Sequence, residues 1–286
     1  MKTGWLLYDQ ADLEKNRDFA SYMETESQRR NLKLETVRTS QLEIGVHEGG
    51  ALYLRRDGRE TIPDFVISRQ RDALLSEQME RMGVAVWNNA RVCALCNDKR
   101  RTHQFLAGLP MLETKFGNHR YAVAPEPGAY PVVVKPTDSH GGDRVTRVAN
   151  EYEWREAVDE ILPHDFLQQR VAGDAGKDLR TYVLFGKPVA AVMRTARKGI
   201  ISNFKRGGDV AAHTLTAEER ALVQAVIDRF DAAGAPLCFA GVDLLYDHGS
   251  PVLGEVEDVV GSRMLYKVSD MDIIAMFLDG LSQRLR

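Results

Sequence analysis

The sequence holds little cysteine: Cys93, Cys96 and Cys238 are the only three in 286 residues. An odd, sparse set excludes a disulfide-stapled scaffold and reads as a reducing compartment. Cys93-x-x-Cys96 has no second such pair, and His103 alone does not complete a zinc site. The two cysteines are expected to be small buried thiols. No apolar run approaches the ~18–20 residues that span a bilayer. The opening residues turn charged by Asp9, too soon for a signal peptide. A cytoplasmic protein without a membrane partner is therefore expected. Charge of one sign is not in excess either, since 38 basic and 41 acidic residues leave −3. That balance argues against a nucleic-acid partner. Several catalytic signatures are missing. The Walker A pattern fails at Gly176-Lys177-Asp178, because residue 171 is valine and no Ser or Thr follows the lysine. Lys135 follows Val132-Val133-Val134 like a kinase strand lysine, but no H-R-D or D-F-G accompanies it. G-x-S-x-G and H-E-x-x-H are absent as well.

What is present is an ordinary globular composition, 44% hydrophobic, long enough for roughly two domains. Strands are expected at Trp5–Tyr8, around Leu32–Val37, at Pro63–Arg69 and at Val84–Trp87, with helices over Lys15–Arg30 and Ser76–Met82. This alternation predicts an α/β layer with a mostly parallel sheet. Ligands meet such sheets at the carboxyl ends of strands, which makes Arg69 a candidate contact; a solvated loop arginine is the alternative. Further on, strands are expected at Pro131–Pro136, Val145–Val148 and Phe166–Val171, and a hairpin turns at Gly186-Lys187-Pro188. A helix over Thr216–Ala233 opens with Thr216 and has Glu219 three residues on, a capping box. Two strands, Gly241–Tyr246 and Pro251–Glu257, precede a C-terminal helix from about Met271.

Three features carry chemistry. Lys135 ends an apolar strand before a glycine-bearing turn, where a lysine holds phosphate as a point charge while turn amides wrap the same oxygens. Glu255 and Glu257 alternate on one strand and so share a face. Asp243 interrupts the preceding apolar strand. Three converging carboxylates repel unless cations neutralise them. Oxygen-only ligands suit Mg²⁺ or Mn²⁺; the alternative is pairing with Arg or Lys, or exposure to solvent. Between these features, residues 194–206 carry five basic and no acidic side chains, a local field suited to phosphoryl groups and carboxylates.

In their order, these segments resemble the ATP-grasp superfamily, and more closely the RimK-like carboxylate–amine ligases, relatives of glutathione synthetase. The resemblance runs over about residues 93–286. It rests on Asp98-Lys99, Val133-Val134-Lys135-Pro136, Gly141-Gly142, Asp178-Leu179-Arg180, Ser202-Asn203-Phe204-Lys205-Arg206-Gly207-Gly208, Gly241-Val242-Asp243, and Glu255-Val256-Glu257 followed by Gly261. It implies an α/β (α+β) ATP-grasp fold: a Rossmann-like pre-ATP-grasp domain over 1–92, a central lid over 93–166 and a catalytic subdomain over 167–286. It also implies an ADP-forming ligase that joins a small-molecule carboxylate to an amine through an acyl phosphate.

The site residues follow by position. Lys99, Lys135, Gly141, Gly142 and Ser202 would contact ATP. Gln168, Gln169 and Val171 would form the adenine hinge, and Asp178 would lie by the ribose. Asn203 and Arg194, with Arg206, would serve the transferred phosphate. Asp243, Glu255 and Glu257 would hold two Mg²⁺ ions, with Mn²⁺ as an alternative. Arg69, Arg180, Arg206 and Arg263 are candidates for substrate carboxylates. Glu257 stands where the family usually has Asn, and Gln169 where it usually has Glu. A phosphotransferase without an amine step and a non-catalytic ATP-binding module are the alternative readings. A homo-oligomer is the expected state for a soluble enzyme.

Overall fold

The computed structural model describes residues 1–139, 144–197 and 208–286. β1 (Lys2–Tyr8) is buried from Trp5 to Tyr8, as its unbroken apolar run requires. α1 (Gln10–Lys15) and α2 (Arg17–Gln28) follow, where one helix was expected; Asn16 between them leaves helical geometry, with ψ 22°. After β2 (Leu32–Arg38) comes an antiparallel meander of β3 (Leu42–Val46), β4 (Leu52–Arg56) and β5 (Arg59–Glu60), absent from the sequence reading. Its tight turn is Asp57-Gly58, both at positive φ, a pairing that suits a two-residue hairpin loop. β6 (Phe65–Ser68), α3 (Ala73–Arg81) and β7 (Ala85–Trp87) complete the first unit. Its sheet is fully parallel in the order β2-β1-β6-β7.

α4 (Ala90–Cys96) and α5 (Lys99–Phe105) are capped by the side chains of Asn89 and Asp98. α4 carries Cys93 and Cys96, both buried and free, and burial pushes both thiols up. They are inert packing groups rather than redox or metal ligands. A second sheet, antiparallel, is built from β8 (Thr114–Gly117), β9 (Val132–Pro136), β10 (Thr146–Val148) and β11 (Phe166–Arg170) in the order β10-β9-β11-β8. α6 (Glu151–Ile161) lays Trp154, Ala157, Val158 and Ile161 on Val132, Val134 and Phe166 of that sheet.

The third sheet takes the order β14-β13-β12-β15-β16, from β12 (Lys177–Leu184), β13 (Lys187–Thr195), β14 (Asp209–His213), β15 (Phe239–Asp247) and β16 (Ser250–Glu257). α7 (Ala217–Ala232) has the expected capping box: Thr216 accepts from the Glu219 amide, and Glu219 accepts from the Thr216 amide at 2.8 Å. Its apolar side packs on Val242, Leu244, Leu253 and Val256. After α8 (Leu265–Val268), the closing helix α9 (Ile273–Arg284) joins a core that also holds Leu6, Tyr8 and Met23 of the first unit. Asn88 adds a polar seam there. Its amide donates to the carbonyls of Phe239 and Asp258 and accepts from the amides of Cys238 and Phe239. No helix among the described residues is long and apolar enough to cross a membrane.

Candidate functional site

A cleft of about 1040 Å³, counted to its open mouth, lies between the second and third sheets. β9 places Lys135 and Val133 on the cleft side, because alternate residues of a strand share a face. The N-terminus of α5 brings Lys99 in from a third direction. Leu112, Val145, Val171 and Leu245 add apolar walls, and Asp178, Arg180, Arg194, Asp243, Glu255 and Glu257 form the floor.

Pairing explains how the floor is assembled. Asp243 on β15 stands opposite Glu255 on β16, and Arg180 on β12 stands opposite Asp243. The β16 register slips at Gly254: Asp243 pairs with Glu255, but the next residue, Leu244, pairs with Leu253. Gly254 is thus the extra residue of a bulge. Across it, Leu253 enters the core beneath the sheet while Glu255, two residues on, turns into the cleft. A Cβ at Gly254 would sit 3.1 Å from the Asp243 carbonyl oxygen and 3.2 Å from Leu245 Cγ. Glycine is therefore matched to the site's backbone at this point.

The carboxylates are not bare. Arg180 donates to Asp243 Oδ1 at 2.7 Å and Oδ2 at 2.6 Å, and to Glu257 Oε1 at 2.5 Å. Arg194 donates to Asp243 Oδ2 at 2.6 Å and pairs with Asp178. An alternating chain results: Asp178, Arg194, Asp243, Arg180, Glu257. Glu255 lies 3.1 Å from Lys99 Nζ, which also donates to the Ser139 carbonyl. Burial alone would raise Asp243, but Arg180 and Arg194 outweigh it and hold the carboxyl down to about 2. Burial raises Glu257 despite Arg180, whereas Lys99 and Lys135 keep Glu255 low against the same desolvation. Pairing with Arg or Lys, the alternative to metal in the sequence, is thus present at all three carboxylates. Among the described residues, no group of three His, Cys, Asp or Glu side chains is arranged to hold an ion as it stands. The donor set nonetheless fits a hard divalent cation, with three carboxylates, oxygen only, on one floor. The arginines would have to yield part of their hold on it.

Burial in the cleft pushes the Lys135 ammonium down to about 8. An anion bound beside it should therefore lose affinity as pH rises through 8, by up to about tenfold per unit, as the lysine discharges. Calorimetric titration of ADP between pH 7 and 9.5 checks this. Lys135→Arg, whose guanidinium stays charged, should flatten the curve. A wild-type affinity constant to pH 9.5 would exclude Lys135 from anion binding.

Several other expectations need correction. Gln168 faces away from the cleft, and its Oε1 accepts from Trp154 Nε1 at 2.6 Å. Adjacent residues on a strand point to opposite faces, so only Gln169 of the pair lines the cleft. Arg69 is buried outside it, donating to the Val260 carbonyl at 2.8 Å and stacked over Phe19 and Phe239. Arg263 is also outside, donating to the Lys15 carbonyl. Arg180 lines the cleft but is committed to Asp243 and Glu257. Gly141, Gly142, Ser202, Asn203 and Arg206 lie outside the described residues. Arg170 and Lys177 line the cleft without having been anticipated. Arg170 is pinned to Asp247 by two bonds, at 3.1 and 2.6 Å, and Lys177 rides over the Tyr246 ring. Val133 was legible, being two residues before Lys135 on the same strand.

The fold, two antiparallel sheets closing on a polar cleft lined by lysines and carboxylates, is that of the ATP-grasp class. The model of the RimK-like ATP-grasp domain matches residues 97–281, and the chain belongs to that family. Human "N-acetylaspartylglutamate synthase A" is 28% identical over 256 residues, covering 82% of this chain. The chain spans only 63% of that relative's length. A "Probable alpha-L-glutamate ligase" of Xanthomonas euvesicatoria pv. vesicatoria is 32% identical over 229 residues, covering 77% of this chain and 76% of the relative. Among solved structures, D-cycloserine synthetase DcsG superposes with a TM-score of 0.74 at 19% identity, covering 99% of this chain and 100% of its own, a likeness of fold.

Proposed function

We propose that the chain is an ATP-dependent carboxylate–amine ligase that forms an amide bond and releases ADP and phosphate. One observation carries the reading: Lys99 and Lys135 gather with Asp243, Glu255 and Glu257 in a single cleft, Lys99 paired to Glu255, with an apolar slot beside them. Residues 1–92, 93–166 and 167–286 would act as pre-ATP-grasp domain, lid and catalytic subdomain. Lys99 and Lys135 would hold phosphate oxygens, Gln169 and Val171 the base, and Asp178 the ribose. Asp243, Glu255 and Glu257 would hold Mg²⁺ or Mn²⁺, which when bound neutralises charge on the polyphosphate. Six cationic side chains, Lys99, Lys135, Arg170, Lys177, Arg180 and Arg194, outnumber the four carboxylates on these walls. That cationic surplus suits a polyphosphate anion.

A carboxylate is a poor electrophile because oxide is a bad leaving group. Its oxygen would attack the γ-phosphorus, ADP would leave, and the acyl phosphate formed would then be open to the amine. The amine displaces phosphate and gives up a proton. Arg194 would steady the transferred group, and Arg180 the carboxylate, once partly released from Asp243. Water must be kept out, since it would hydrolyse the acyl phosphate. A cytoplasmic homo-oligomer acting on small molecules completes the reading.

The relatives' names make glutamate the first amine to try, within a pool of amino acids. Incubation with ATP and Mg²⁺ should give amino-acid-dependent ADP release, and hydroxylamine should trap the acyl phosphate as a hydroxamate. ADP release without a trappable acyl group would favour a phosphotransferase. Tight ATP binding with no turnover across the pool would favour a non-catalytic module.

A further inference from the structure

Gln169 is 3% exposed and lines the cleft. On β11 it stands beside Thr114 of β8, and its side chain is held at both ends. Its Oε1 accepts from Lys135 Nζ at 3.1 Å, and its Nε2 donates to Thr114 Oγ1 at 3.0 Å. The threonine hydroxyl has one proton, and that proton goes to the Leu112 carbonyl at 3.0 Å. Thr114 can therefore only accept from Gln169. Turning the amide over would aim two N–H groups at an ammonium, and would set an oxygen against a hydroxyl with no proton left to give. Both neighbours enforce one orientation, with the amide oxygen toward Lys135 and the cleft.

A carbonyl oxygen has two lone pairs, and Lys135 takes one. The other remains for a donor in the cleft, whose walls at Leu112, Val133, Val145, Val171 and Leu245 suit a flat ring. Purines differ at the edge that such an oxygen reads. A 6-aminopurine presents N–H, and a 6-oxopurine presents another acceptor. Resting on the nucleotide reading above, we propose that Thr114 is a specificity-positioning residue. By fixing the Gln169 amide, it makes the cleft select a 6-aminopurine nucleotide over a 6-oxopurine one. A glutamate at residue 169 would need no such partner, because a carboxylate offers oxygen whichever way it turns. A glutamine does need it.

The test is calorimetric binding of Mg-ADP and Mg-GDP to the full chain and its variants. The wild type should prefer ADP by at least about 100-fold, and Gln169→Met should erase most of that preference. Thr114→Val should cut the ratio about tenfold, mainly by tightening GDP, because the freed amide can now offer N–H. Thr114→Ser should restore it. In the Gln169→Glu background, Thr114→Val should leave the ratio unmoved, an outcome that a purely structural threonine would not give. If ADP binds and Thr114→Val leaves the ADP-to-GDP ratio at its wild-type value, the orientation lock is wrong while the nucleotide reading stands. If the folded wild type binds neither nucleotide, both fall together.

Discussion

Glu255→Gln should lower amino-acid-dependent ADP release by at least about a thousandfold while lowering the thermal melt only modestly, by the lost charge pairing with Lys99 and Lys135. The two halves of this expectation have separate causes. The glutamine oxygen can still accept from Lys99, now 3.1 Å from Glu255, and Lys99 keeps its second contact with the Ser139 carbonyl. The local packing therefore survives the substitution. What is lost is a full negative charge on the floor of the cleft, facing two lysines and beside Asp243. Phosphoryl transfer depends on placing and neutralising charge rather than on covalent help from the protein, so that charge is where the rate resides. ADP affinity measured without divalent cations should hold or improve, since an anion would meet one carboxylate fewer. Turnover within a factor of about three of wild type would remove Glu255 from the catalytic floor.

The pieces of this site were unequally legible in the sequence. Strand period alone placed Glu255 and Glu257 together, and the apolar residues flanking Asp243 marked a buried strand with a charged interruption. The same rule, applied to Gln168 and Gln169, would have sent them to opposite faces; the hinge was read as a unit, and Gln168 turned out to face Trp154. The bulge at Gly254 was invisible, because a slipped register is a property of two strands and not of one. The ion-pair chain was hidden for a related reason. Arg180, Arg194 and Asp243 are far apart in sequence and meet only when β12, β13 and β15 lie side by side. Arg69 shows the opposite error. The end of a parallel strand is a common ligand site, but here that end is covered by Phe239 and Val260, and the guanidinium serves the packing of one unit on the other. The meander over residues 42–60 was within reach of the sequence, with an apolar run at Ala51-Leu52-Tyr53-Leu54 and a turn at Asp57-Gly58; what the sequence could not show is that this short sheet stands apart from the parallel one, half-exposed.

Arg180→Met should destabilise the protein by about 3–5 kcal/mol in buffer without divalent cations, the usual cost of stripping a buried ion pair of one partner. The arginine is the bridge of the floor: 7% exposed, it satisfies both oxygens of Asp243 and one of Glu257. Methionine fills much of the volume but leaves two carboxylates facing each other, with Arg194 alone to offset them. That arrangement has a specific remedy. A divalent cation entering between Asp243 and Glu257 replaces the missing charge and stabilises the folded state by its binding free energy. Mg²⁺ should therefore raise the melting temperature of Arg180→Met more than that of the wild type, where the guanidinium competes for the same oxygens. Melting curves of both proteins over a range of Mg²⁺ concentrations, with Na⁺ at matched ionic strength as the control, decide the matter. An equal response of the two proteins would mean that Arg180 and the cation do not share a site. The floor would then be a structural ion-pair network, and the divalent cation would have to sit elsewhere.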